Sequence, residues 1–130
     1  MKLRIIFTIL IASVLIACSP IPRPTPFLNE RRMVELLTEI HVIEAQLQQM
    51  QNQGTNFDAM RIYTTSAYAE LFERFGLTQE SFEANMFFRT YQSRDIERIQ
   101  TRVQENLQRM FDERQEIEMI PQERVLEADL

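Results

Sequence analysis

The sequence predicts an all-α protein, a small bundle of about four helices that follows a signal peptide and a proline-rich linker. After residue 28, apolar residues recur at steps of three and four, which is the spacing of amphipathic helices. No stretch alternates between apolar and polar residues as a half-buried strand does. The chain has only two glycines, and each stands where a helical pattern stops. We expect the third helix to be short and the fourth to be the longest.

Residues 1–17 have the pattern of a signal peptide. Lys2 and Arg4 precede an apolar run from Ile5 to Ala17, and this run is shorter than the ~20 residues that span a bilayer. An uncleaved anchor helix and an ordinary secretory peptide with a chance cysteine are the alternatives.

The end of this segment resembles the lipobox of bacterial lipoproteins. Leu15, Ile16 and Ala17 give the aliphatic, tolerant and small positions, and Cys18 follows. The resemblance implies cleavage after Ala17 and attachment of acyl chains to the sulfur and amino group of Cys18, which is then held in the membrane. Ser19 replaces the aspartate that retains lipoproteins in the inner membrane. By that analogy we expect an anchor in the outer membrane, facing the periplasm.

Residues 18–28 form the predicted linker between this lipid site and the helices. Proline occupies positions 20, 22, 24 and 26, a spacing that favours extended polyproline II structure. The segment would separate the domain from the lipid by roughly 25 Å. A spacer is the main interpretation, and a ligand for a proline-recognition domain is the alternative.

Composition excludes several functional classes. Without Lys2 and Arg4 the mature chain has twelve arginines against nineteen acidic residues, a formal charge of −7, so the basic surface of a nucleic-acid-binding protein is absent. Cys18 is the single cysteine and leaves no disulfide to form. We expect no cofactor and no metal.

The helical domain is predicted over residues 29–120. Asn29 is a suitable cap for the first helix, and the glutamine-rich run that ends at Gly54 is interpreted as a connector. The second helix should run from Phe57 or Asp58 to Phe75, with Gly76 ending it.

Thr78 is expected to cap the short third helix. The fourth should extend from about Arg94 to Met119 and stop before Pro121. Residues 121–130 are predicted to be an acidic, flexible tail.

His41 and Glu44 are the best candidates for polar chemistry on the first helix. They are three residues apart and so share a face, but one histidine in the whole chain cannot supply a zinc or di-iron site. A histidine hydrogen-bonded at the edge of the core is the simpler interpretation, and a partner contact is the alternative. No motif selects a nucleophile or an acid–base pair, so we expect no enzyme and no catalytic residue.

Two further groups are candidate partner contacts. Arg94, Arg98 and Arg102 line one side of the fourth helix, either as a solvated face or as a contact for an acidic partner or lipid phosphates. The aromatic group consists of Phe87, Phe88 and Tyr91. Neighbouring residues on a helix point about 100° apart, so one of the two phenylalanines and Tyr91 are candidates for exposure, and burial of both phenylalanines is the alternative.

Three segments carry a family resemblance. They are Met33 to Ala45 with its His41–Glu44 step, Tyr68 to Phe82 with its Phe-Gly-Leu-Thr turn, and the last helix from Ile96 to Leu107. Together with the lipobox they resemble the Bacteroidota lipoproteins grouped as domain of unknown function 4296. The resemblance implies a lipoprotein and adds no activity.

The predicted function is that of a lipid-anchored envelope protein with a non-enzymatic binding or scaffold role in an outer-membrane or periplasmic assembly. We expect a protein partner in the cell envelope. A periplasmic helical chaperone or stress sensor is the alternative.

Overall fold

The computed structural model describes residues 20–118, and these form four α-helices and no strand. The helices are α1 (Glu30–Asn52), α2 (Phe57–Phe75), α3 (Gln79–Tyr91) and α4 (Ser93–Glu118). The all-α prediction is confirmed, with α3 the shortest at 13 residues and α4 the longest at 26. None of these helices is long and apolar enough to cross a bilayer. The predicted signal peptide, Ala17, Cys18 and the predicted tail 121–130 lie outside the described residues.

Side-chain caps fix the starts of the first three helices where the sequence predicts them. Asn29 accepts a hydrogen bond from the Arg32 N–H, and Asn56 accepts one from the Ala59 N–H. Thr78 forms a reciprocal capping box with Ser81. Each cap satisfies amide groups that the helix itself leaves without partners.

Gly76 ends α2 as predicted, in the left-handed conformation at φ 67°. The Gly76 N–H donates to the Glu73 carbonyl and the Leu77 N–H to the Phe72 carbonyl, at 3.0 and 2.8 Å. This pair of bonds is a Schellman motif, and it folds Leu77 back into the core.

The glutamine-rich run is helical, so its interpretation as a connector is wrong. α1 continues through it to Asn52, and only residues 53–56 join α1 to α2. Glutamine has a good helix propensity, and the run is held by α2, because Leu47 packs on the core and Gln46 accepts a hydrogen bond from the Tyr63 hydroxyl.

α1 is the central helix. It packs against α2 on one side and α4 on the other, while α3 packs against α4. Buried apolar side chains from α1, α2 and α4 and from the segments beside them form the core: Leu28, Met33, Val34, Leu36, Ile40, Ile43, Leu71, Leu77, Ile99 and Val103.

The end of the proline-rich linker belongs to the domain. Leu28 is only 3% exposed, and its N–H donates to Oδ1 of the fully buried Asn85 at 2.8 Å. Asn85 Nδ2 donates to the Pro26 carbonyl, and Arg89 Nη2 donates to the Leu28 carbonyl, both at 2.8 Å. The prediction of a free spacer up to residue 28 is therefore wrong for residues 26–28, because α3 supplies partners for their backbone.

The first residue of α1 connects the starts of α1 and α4. Glu30 accepts hydrogen bonds from Arg98 Nε and Arg102 Nη1, both at 2.9 Å. The hydrogen bond from Arg102, aided by Arg98, outweighs partial burial and lowers the pKa of the Glu30 carboxyl. Farther along, Val42 and Ile43 of α1 line one pocket together with Arg109 and Met110 of α4. Residue numbers therefore rise together along the contact, and α1 and α4 run in the same direction.

A pH-dependent loss of stability is expected from this site. Because the pKa of Glu30 is lowered in the folded state, its carboxylate stabilises the protein at pH values above the ordinary glutamate pKa of 4.5. This stabilisation is lost as the pH falls through the pKa of the folded state. Glu30→Gln should reduce the free energy of unfolding by up to about 1 kcal/mol near neutral pH, and the difference from the wild type should vanish in acid. Urea unfolding across the pH range measures it.

Glu35→Gln is the matched control for this measurement. Glu35 lies on the same helix and pairs with the highly exposed Arg31 one turn earlier, so we expect only a few tenths of a kcal/mol. Indistinguishable pH profiles for the two variants would contradict the stabilising role of Glu30.

Candidate functional site

A groove opens where all four helices meet. Its volume is about 680 Å³. Three helices supply its apolar walls: Leu37 and Ile40 of α1, Phe82 and Met86 of α3, and Val103 of α4. The remaining lining residues are His41, Glu44, Tyr68, Ile96, Gln100, Gln104 and Leu107. The lining therefore combines a larger apolar surface with exposed polar side chains, which is the usual composition of a binding site.

His41 and Glu44 both line this groove, on the face of α1 where the sequence places them together. His41 Nδ1 lies 3.3 Å from Glu44 Oε2, and about half of each side chain is exposed. The pair is thus a rim feature that a ligand can reach.

Tyr68 brings a hydroxyl from α2 to the same groove. Partial burial raises the pKa of the Tyr68 hydroxyl above its ordinary value, and the negative charge of Glu44 raises it further. The hydroxyl therefore stays protonated at neutral pH and can donate a hydrogen bond. Its ring packs edge-on against Phe72, which in turn contacts Phe82.

The polar side chains of the groove can form hydrogen bonds with a ligand. Within residues 20–118 no cluster of three histidine, cysteine or acidic side chains has the arrangement of a metal site. The Gln100 and Gln104 amides can each donate and accept, as a peptide backbone requires, while an ionised Glu44 carboxylate can only accept.

The aromatic candidates on α3 divide into one core residue and two surface residues. Phe88 is 7% exposed and packs edge-on against Phe27 with ring centroids 5.6 Å apart. Its prediction as a partner contact is corrected: it is a core residue. Phe87 and Tyr91 are 63% and 69% exposed, and neither lines the groove.

The three arginines on α4 also differ. Arg98 and Arg102 bind Glu30, and Arg98 also donates to Asp95 at 2.8 Å. Glu30 thus offsets the repulsion between these two positive charges, because it brings a carboxylate from another helix. Arg94 is exposed at the start of α4.

Sequence reasoning missed Asn85 and Arg89, the two polar residues that hold the linker. Arg89 is 6% exposed, pairs with Asp95 at 2.9 Å and stacks over the Phe27 ring. The missed signal was their spacing: Ser81, Asn85 and Arg89 are four residues apart, so they share one face of α3.

The described part of the chain is a small all-α bundle with an open, mostly apolar groove at the junction of its helices. The chain belongs to the family described as Domain of unknown function (DUF4296), whose model matches residues 24–113. The match begins before the docked segment Pro26–Leu28. No curated protein and no solved structure matches the chain.

Proposed function

We propose that the chain is a lipoprotein of the Bacteroidota type, anchored through acyl chains on Cys18 to the periplasmic face of the outer membrane. There it acts without catalysis, as a binding or scaffold subunit of an envelope assembly. The Leu15–Cys18 motif after the short apolar run supports the anchor. The groove supports the binding role.

The composition of the groove favours one kind of occupant, an apolar segment of a partner protein. Leu37, Phe82 and Met86 offer surface to aliphatic or aromatic side chains, while Gln100 and Gln104 can pair with the backbone around them. Glu44 and the acidic chain disfavour a negatively charged segment. We therefore expect a neutral or basic peptide with apolar anchors.

The experiment is crosslinking in cells followed by detergent extraction and pulldown of the full-length protein. A stoichiometric partner should be recovered with the wild type and lost with the double variant Gln100→Lys, Gln104→Lys. Lysine removes the amide oxygens that accept from a peptide backbone, and its two positive charges also repel a basic segment. Both residues are exposed, so helical content should not change.

Gln49→Lys is the matched control, on an exposed part of α1 outside the groove. Recovery that is unaffected by the groove variant would contradict this binding site. Recovery of many unrelated unfolded proteins, and not of one stoichiometric partner, would favour the chaperone alternative.

The anchor is tested in the same cells. Cys18→Ala should accumulate uncleaved precursor and lose acyl labelling, and normal processing of that variant would contradict the lipoprotein assignment.

A further inference from the structure

The outer face of α3 has two large exposed aromatic side chains. Phe87 and Tyr91 are four residues apart and so lie on one face of the helix, with most of each side chain accessible. Phe82 and Met86, which line the groove, point in another direction around the helix. Anything that covers Phe87 and Tyr91 therefore leaves the groove open.

The chain enters the domain beside this same helix. Asn85 and Arg89 of α3 hold the backbone of Pro26 and Leu28. The Arg23 guanidinium lies 5.3 Å from the centroid of the Phe27 ring, and that ring packs against Phe88 of α3. Arg23 is therefore connected to α3 through Phe27.

Covalent geometry then limits how far the lipid site can be. Cys18 precedes Arg23 by five residues, which span at most about 18 Å when fully extended. α1 has 23 residues and is about 35 Å long. Acyl chains on Cys18 therefore keep the α3 end of the domain near the lipid, whereas the tether does not hold the opposite end, where Phe57 begins α2, at the lipid surface.

We propose that Phe87 and Tyr91 insert into the interfacial layer of the membrane that holds Cys18, giving the domain a second lipid contact and a fixed orientation. This inference rests on the proposed lipid anchor. Aromatic rings with a polar edge favour the boundary between headgroups and acyl chains, and the exposed Arg94, three residues after Tyr91, suits a lipid phosphate.

Tethering makes such a contact effective although it is small. Two aromatic side chains alone give weak membrane affinity, but the linker holds them at high local concentration beside the lipid surface. The contact leaves the groove uncovered, because Phe82 and Met86 lie on another face of α3.

Tryptophan fluorescence tests this orientation, because the chain contains no tryptophan. The acylated full-length variants Phe87→Trp and Phe57→Trp are each reconstituted into vesicles of equal parts phosphatidylethanolamine and phosphatidylglycerol, with and without brominated acyl chains. Phe57 is 75% exposed and is the matched control at the opposite end. We expect blue-shifted emission and several-fold stronger quenching for Trp introduced at Phe87.

Equal, weak quenching at both positions in vesicles that carry the protein would overturn the second lipid contact and leave the anchor intact. Vesicle flotation reports on the anchor separately. Protein that fails to float and lacks acyl groups by mass spectrometry would overturn the lipid anchor and, with it, this inference.

Discussion

Replacing Asn85 by Ala should lower the free energy of unfolding by about 3 kcal/mol. Asn85 is fully buried and makes three hydrogen bonds: it accepts from the Leu28 N–H and donates to the carbonyls of Pro26 and Ser81. Alanine would leave the buried Leu28 N–H without a partner, and an unpaired buried amide costs more than an ordinary hydrogen bond contributes. Urea unfolding followed by circular dichroism measures the change.

Asn52→Ala is the control, since Asn52 is exposed at the end of α1 and should change stability by less than about 0.5 kcal/mol. Limited proteolysis adds an independent observable, because loss of Asn85 should release the backbone around Phe27 and make the Phe27–Leu28 peptide bond easier to cleave by chymotrypsin. Unchanged stability and unchanged cleavage in Asn85→Ala would show that the linker does not contribute to the folded domain.

Replacing Phe88 by Ala should destabilise the domain by about 3 kcal/mol, whereas Phe87→Ala should change the free energy of unfolding by less than about 0.5 kcal/mol. The two residues are adjacent and chemically identical, so burial alone separates them. Phe88 loses its edge-on contact with Phe27 and leaves a cavity between α3 and the linker. Phe87 has 63% of its surface in solvent already.

Thermal unfolding of the two variants measures this difference. Circular dichroism should first show that Phe87→Ala has the helical content of the wild type. Similar losses in both variants would mean that the exposed face of α3 is also part of the packed structure. That result would remove the basis for a membrane contact at Phe87.

The positions of the helices were largely predictable because they depend on local chemistry. Asn29, Thr78 and Gly76 act within a few residues of themselves, by capping amides or by allowing a left-handed backbone, so sequence patterns identify them directly. The glutamine-rich end of α1 was misread although Leu47 continues the apolar spacing and glutamine favours helix. Only its hydrogen bond to Tyr63 of α2, through Gln46, is a contact that no local pattern shows.

The candidate site was predictable only in part. The spacing of His41 and Glu44 placed them on one face, but only the fold brings Tyr68, Gln100 and Gln104 to the same groove from α2 and α4. The sequence could not show which of the adjacent residues Phe87 and Phe88 is buried, because their burial depends on where Phe27 packs.

The sequence by itself determined the helical class, the caps and breaks, and the Leu15–Cys18 motif, all of which are short-range or compositional properties. The tertiary structure decided which residues contact the linker and which carboxylate pairs with the arginines of α4. Asn85 and Arg89 bind backbone groups of the linker about sixty positions away, and Glu30 neutralises Arg98 and Arg102 from another helix. Contacts at such separations arise from the packing of whole helices, so no local pattern predicts them.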